Sequence, residues 1–129
     1  MISIKLDNEM ISGLKPIGLS LGQFAIMMTL LERDGIQQVE IGEKIFMPRY
    51  ATTRNLNKLE ELGYIKRHKH ETSGRSHCIY LTSKGRKLAP ELYSLVKSVN
   101  QRLLSPLTNK EINNFVATLS KLHDPKKGV

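Results

Sequence analysis

The chain has 129 residues, a formal net charge of +8, one cysteine and no tryptophan. That length holds one core built from aliphatic residues. The single thiol, Cys78, excludes an intrachain disulfide framework and predicts a reducing compartment, the cytoplasm. No run approaches the roughly 18 apolar residues that span a bilayer, so no membrane is expected. Residues 1–10 lack the basic-then-apolar order of a signal peptide. A basic balance of this size predicts a polyanionic partner, most commonly nucleic acid.

Residues 7–14 predict a short helix ended by Lys15-Pro16. Ser20 and Gln23 have the spacing of a capping box, in which hydroxyl and amide satisfy free backbone donors. Leu21, Phe24, Met28 and Leu31 then recur at helical spacing, and Asp34-Gly35 stops the helix. Residues 37–45 read as a short helix with Val39, Ile41 and Ile45 inward. Pro48 suits the first turn of a helix over 48–62, ended at Gly63. Its core stripe is Ala51 or Thr52, Leu56, Leu59 and Leu62; Arg49, Tyr50, Thr53, Arg54, Asn57 and Lys58 lie opposite. Residues 64–69 and 77–81 read as the strands of a hairpin around a polar, glycine-containing loop. Thr82 is positioned to cap a long helix over 83–104, striped by Leu88, Leu92, Leu95, Val96, Val99 and Leu103 and broken only mildly by Pro90. Thr108 and Glu111 form a second capping-box pattern, opening a helix striped by Ile112, Phe115, Val116, Leu119 and Leu122.

The charge is concentrated. Residues 48–87 hold ten basic and three acidic side chains, so +7 of the net +8 lies there. The predicted fold class is mainly α with a small β-hairpin: a basic reading helix and hairpin, flanked by apolar helices. A helix face of Arg, Thr, Asn and Tyr suits a major groove. Arg49, Tyr50, Thr53 and Arg54 are placed nearest base edges, with Asn57 and Lys58 closer to phosphates. The same face, taken by itself, also fits ordinary solvated helix surface. On the hairpin, Lys66, Arg67 and Lys69 are expected to neutralise phosphates.

Several segments in order resemble the MarR family of winged helix-turn-helix transcriptional regulators: residues 19–24 opening a second helix; residues 47–63, with Arg54, Leu59 and Gly63 in register, as its recognition helix; and Gly74-Arg75 followed by Leu81-Thr82-Ser83-Lys84-Gly85-Arg86, as its wing and the start of its dimerisation helix. The resemblance covers roughly residues 19–122. It implies a winged helix-turn-helix over 19–87, a shortened dimerisation segment over 1–18, dimerisation helices over 83–124 and a tail over 125–129. It further implies a homodimer on a pseudo-palindromic double-stranded DNA operator, a repressor role, a small-molecule effector as a further partner, and Arg75 in a minor groove. Leu92, Leu95, Val99, Leu103, Phe115 and Leu119 are the expected dimer residues. Three positions depart from the family pattern: the first helix is short, Ser73 replaces the acid of the wing, and Pro48 replaces the serine that caps the recognition helix.

Other chemistries find less support. His68, His70 and His77 are weak metal candidates: the first two share one side of a strand and His77 is expected to face them, but no carboxylate cluster completes a site. No metal or cofactor is therefore expected. Cys78 is expected to face inward as a small apolar residue. No Ser-His-Asp order, paired acids, phosphate loop or CxxC pattern is present, so no catalytic residue is assigned and the chain reads as no enzyme. A protein-interaction or architectural module on the same fold remains the alternative.

Overall fold

A computed structural model describes residues 2–69 and 77–122; the side chains of residues 2–7, 103, 115 and 119–122 are not among those described. The elements run α1 (Ile2–Leu14), a 3-10 turn (Lys15–Ile17), α2 (Leu21–Glu32), β1 (Ile36–Gln37), α3 (Gln38–Lys44), α4 (Arg49–Glu61), β2 (Ile65–Lys69), β3 (His77–Leu81), α5 (Ser83–Arg86), α6 (Ala89–Leu104) and α7 (Asn109–Leu122). Residues Met1–Val96 form one compact unit and Lys97–Val129 a second, the boundary falling within α6. Among the described residues no single helix is long and apolar enough to cross a membrane.

Both capping boxes form. The Ser20 hydroxyl accepts from the Gln23 N–H at 3.2 Å while the Gln23 amide oxygen accepts from the Ser20 N–H at 2.9 Å. Thr108 and Glu111 repeat the exchange at 3.2 and 2.9 Å. The first helix runs back to Ile2, further than the segment expected over 7–14.

The first unit's core is assembled around α2, which touches α1, α3, α4 and β3. Ile26, Met27 and Leu30 of α2 are fully buried, with Ile41 of α3, Leu56 and Leu59 of α4 and Ile79 of β3. Each such side chain contributes about 1.5–3 kcal/mol on leaving water. The expected stripe of Leu21, Phe24, Met28 and Leu31 is only half-buried. Neighbours on several sides of α2 reward a wide apolar surface, so one stripe does not define its inner face. Val39, expected inward, is 60% exposed, while Ile41 is fully buried. Leu62 is half-buried at the end of the α4 stripe.

The sheet has three antiparallel strands in the order β1-β3-β2, one more than the hairpin predicted. Ile36 pairs with Ile79 on one side of β3; Ile65 pairs with Leu81 and Lys69 with His77 on the other. The helix expected over 83–104 is divided. Pro90 has no N–H for the Arg86 carbonyl one turn back, and the Leu88 N–H bonds instead to the Gly85 oxygen at 3.1 Å before regular spacing resumes from Leu92 to Leu88 at 3.0 Å.

Candidate nucleic-acid interface

Helix α4, the expected reading helix, is held at both ends. At its C-terminus Gly63 takes φ +82°, the Gly63 N–H bonds to Glu60 and the Tyr64 N–H to Leu59, both at 3.0 Å. That double bond pattern terminates a helix through a left-handed residue, a conformation glycine adopts without a Cβ penalty. Lys84 reaches the Leu62 carbonyl at 2.7 Å and lies 5.0 Å from the Tyr64 ring centre, a cation placed at the negative helix end. At the N-terminus Pro48 supplies no side-chain cap, and the Thr52 hydroxyl bonds back to the Pro48 carbonyl at 3.0 Å.

Thr52, Leu56 and Leu59 face the core. The opposite face gathers Tyr50, Thr53, Arg54, Asn57 and Lys58 around a shallow depression of about 660 Å³, together with Glu60 and Glu61. Arg49, Arg54, Asn57 and Lys58 are exposed, and Tyr50 is 72% exposed. Arg49 and Arg54 make no hydrogen bond or ion pair among the described residues, and Lys58 makes only a 3.9 Å contact with Glu61 across two exposed side chains.

Two members of the face are tied down by residues that sequence reasoning did not assign to them. The Gln38 amide donates to the Thr53 hydroxyl oxygen at 2.7 Å, bracing α4 against α3. The Arg67 guanidinium donates to Asn57 Oδ1 at 2.7 Å. Strand alternation explains the second contact: Ile65, Arg67 and Lys69 share the face of β2 whose first residue is buried. Arg67, expected at a phosphate, is therefore turned toward α4, and its Nε is buried with no hydrogen-bond partner among the described residues. Lys66 and Lys69 remain exposed. Arg75 and His70 lie outside the described residues.

The hairpin is anchored at its base by Asp34. One carboxylate oxygen accepts the Leu81 N–H at 2.9 Å and the other the Arg86 guanidinium at 2.6 Å. Thr82 adds two bonds: its N–H to the Tyr64 carbonyl at 3.0 Å and its hydroxyl to Gly63 at 2.6 Å. Gly85 is buried here, and a Cβ on it would run into the Tyr64 carbonyl oxygen. The sequence marks Asp34-Gly35 only as a helix stop; the partners of Asp34 lie 47 and 52 residues away.

The register separates the expected histidine group. His77 pairs with Lys69 and His68 with Cys78, so His68 and His77 point to opposite faces of the sheet. His68 instead meets Tyr80 edge-on, with ring centres 5.4 Å apart. Cys78 shares that face and is half-buried; it does not lie on the buried face of Ile79 and Leu81 as expected. Among the expected dimer residues, Leu92 is fully buried and Val99 is 1% exposed within the single chain. Leu95 lies over Gly13 of α1. The side chains of Leu103, Phe115 and Leu119 are outside those described.

Comparison with known proteins agrees with this geometry. A family model described as MarR family matches residues 17–76. The HTH-type transcriptional repressor Rv2887 of Mycobacterium tuberculosis is 32% identical over 117 residues, covering 91% of this chain and 84% of that protein. A MarR transcriptional regulator from Methanosarcina mazei Go1 superposes with a TM-score of 0.87 at 26% identity, covering 94% of this chain and 87% of the other. The structure of Rv2887 in complex with DNA superposes with a TM-score of 0.81 at 26% identity, covering 95% and 92%. The chain belongs to the MarR family of winged helix-turn-helix transcriptional regulators.

Proposed function

We propose that this DNA-binding regulator acts as a homodimeric repressor that reads a pseudo-palindromic operator through α4. The observation that carries the reading is the exposed face of α4, where Arg49, Tyr50 and Arg54 project without partners among the described residues while Thr53 and Asn57 are braced by α3 and β2. Braced polar groups beside free arginines form a pre-ordered surface that costs little entropy to dock. Arg49 and Arg54 supply bidentate donors for guanine edges, and Lys58, Lys66 and Lys69 supply charge for phosphates. Arg75 is assigned to the minor groove by the family resemblance alone. The repressor role rests on the name carried by the mycobacterial relative.

Homodimerisation is supported by apolar side chains that the chain leaves uncovered on its terminal helices. Ile11 and Tyr93 are each 50% exposed in the first unit, and Val116 is 52% exposed in the second. Two-fold pairing would set the two reading helices roughly 34–36 Å apart, one turn of DNA. A small-molecule effector belongs to the same reading, with no residue assigned to it.

The test is selection of bound fragments from random duplex DNA, with sedimentation to give the stoichiometry. A pseudo-palindrome bound by two chains is expected. Arg54→Ala should then cost about 1–3 kcal/mol on the selected site and little on scrambled DNA. Equal losses on both would confine Arg54 to the backbone. Failure to retain any duplex at low salt would favour the protein-interaction module.

A further inference from the structure

The turn between α3 and α4 holds a side chain that the fold itself does not reward. Phe46 is 94% exposed, and it is the one non-glycine residue with positive φ, +54°, among the described residues. L-residues avoid this conformation because Cβ crowds the following carbonyl. The turn imposes it. The Met47 N–H reaches back to the Gly42 carbonyl at 2.9 Å. The two helices approach so closely that the Met47 carbonyl oxygen and Thr52 hydroxyl each lie 3.1 Å from where a Cβ on Gly42 would stand. Glycine would make the same turn without strain and without holding a benzyl ring in water. A strained backbone carrying an uncovered ring calls for a partner outside the chain.

The surroundings identify that partner. Phe46 lines a cleft of about 810 Å³ with Gln38, Val39, Arg49 and His77. Gln38 is also the residue bonded to Thr53, so the cleft and the reading face of α4 meet along the Gln38–Thr53 edge. Arg49 belongs to the cleft and lies one turn from Thr53 on α4. A duplex laid on α4 therefore passes Phe46, and positive charge stands on the same edge. The apolar group that a base edge offers in the major groove is the C5 methyl of thymine, for which an aromatic ring is a suitable contact.

We propose that Phe46 is a specificity-determining residue that packs against a thymine methyl at the margin of the half-site read by α4. The inference rests on the DNA-binding reading above.

Duplexes selected from a random pool by the wild-type chain are resynthesised with each thymine replaced in turn by deoxyuridine, which removes only the methyl. At one thymine per half-site, wild-type affinity should fall about fourfold, the worth of one buried methyl-sized group. Phe46→Gly should show the same loss on the unmodified duplex and no further loss on the deoxyuridine duplex. Glycine suits the left-handed turn, so a thermal midpoint at or above that of the wild type separates a lost contact from a lost fold. Phe46→Asn, which also tolerates this backbone region, should repeat the result. A wild type with no deoxyuridine penalty overturns the assignment. So does a Phe46→Gly variant that retains the penalty, binds as tightly as wild type, or weakens equally on every sequence; the last would place the ring on the sugar–phosphate chain. A wild type that retains no duplex at low salt is a different result: it removes the DNA-binding reading and this inference with it.

Discussion

Replacing Arg67 with methionine separates the two tasks open to a cation beside a reading helix: holding a phosphate, or holding a neighbouring side chain. The variant loses the 2.7 Å bond to Asn57. A hydrogen bond from a charged donor is worth about 1.5–3 kcal/mol, reduced to about 1 kcal/mol at an exposed pair by solvent screening. It also removes the buried Nε that has no partner among the described residues. An orphaned donor of that kind costs about 1–3 kcal/mol, discounted here because the remainder of the guanidinium is hydrogen-bonded. The two effects nearly cancel, and stability should change by less than about 1 kcal/mol, a few degrees in Tm. DNA binding should respond differently. Asn57 loses its brace and must be ordered on docking, at about 1 kcal/mol for one side chain, or roughly fivefold in specific affinity. The dependence of binding on salt should stay the same, because no phosphate ligand is removed. Lys66→Met and Lys69→Met, by contrast, should each lower the slope of log K against log salt by about 0.9. Fluorescence anisotropy on selected and scrambled duplexes over a range of salt measures all of these. A slope reduced by about 0.9 in Arg67→Met, with equal losses on both duplexes, would show that Arg67 grips the backbone and that its bond to Asn57 is incidental.

Three further outcomes follow from the same contacts. Gly85→Ala drives a Cβ into the Tyr64 carbonyl, a backbone atom that cannot rotate away, and loosens the 3.0 Å bond from Thr82 to that oxygen. Overpacking and a weakened hydrogen bond together predict a loss of about 3 kcal/mol in urea unfolding, and an unchanged midpoint would contradict the crowding. Asp34→Asn keeps an acceptor for Leu81 but gives up the ion pair with Arg86, whose side chain is 58% exposed. The expected loss is under about 1 kcal/mol and should shrink as salt rises; a loss that ignores salt would deny the pair its ionic character. The Thr108 N–H, and then its hydroxyl, hold the Glu111 carboxyl below its ordinary pKa. With the folded value depressed, this cap contributes fully above the ordinary carboxylate range and is lost as pH falls through the folded value. The protection factor of the Thr108 amide, its exchange rate corrected for the intrinsic pH dependence, should fall on that descent, and constant protection throughout would rule the cap out.

What the sequence made legible was local. Ser20 with Gln23 and Thr108 with Glu111 announce helix starts because both halves of each exchange lie within four residues. Gly63 announces a stop because its backbone conformation is the signal. Leu56 and Leu59 mark the inner face of α4 because that helix has one apolar side. The misreadings share the opposite property. The inner face of α2 is chosen by four neighbouring elements, and its own apolar residues extend too far around the helix to phase it. Strand β1 is two residues long, so alternation cannot be seen in it; it exists because Gly35 and Ile36 meet Ile79 of β3. Val39 sits on a helix of seven residues, where two turns leave the phase open by one position.

Arg67 is the instructive case, because its contact with α4 was within reach. Ile65 reads as an inward residue from hydrophobicity alone, and a period of two then carries Arg67 inward with it. Counting Arg67 with Lys66 and Lys69 as one basic cluster ignores that period. The cluster divides across the strand: Lys66 on one face, and on the other Arg67, hydrogen-bonded to Asn57, and Lys69, beside His77. Net charge therefore says that this region meets a polyanion, while the pleat of β2 decides which cations are left to do so. The same distinction applies along α4, where Arg54 has no partner among the described residues and Lys58 faces Glu61. On the proposed reading, specific recognition would then be carried by fewer charged groups than the +7 over residues 48–87 suggests, and by more order in the neutral ones, Thr53 and Asn57, that α3 and β2 hold in place.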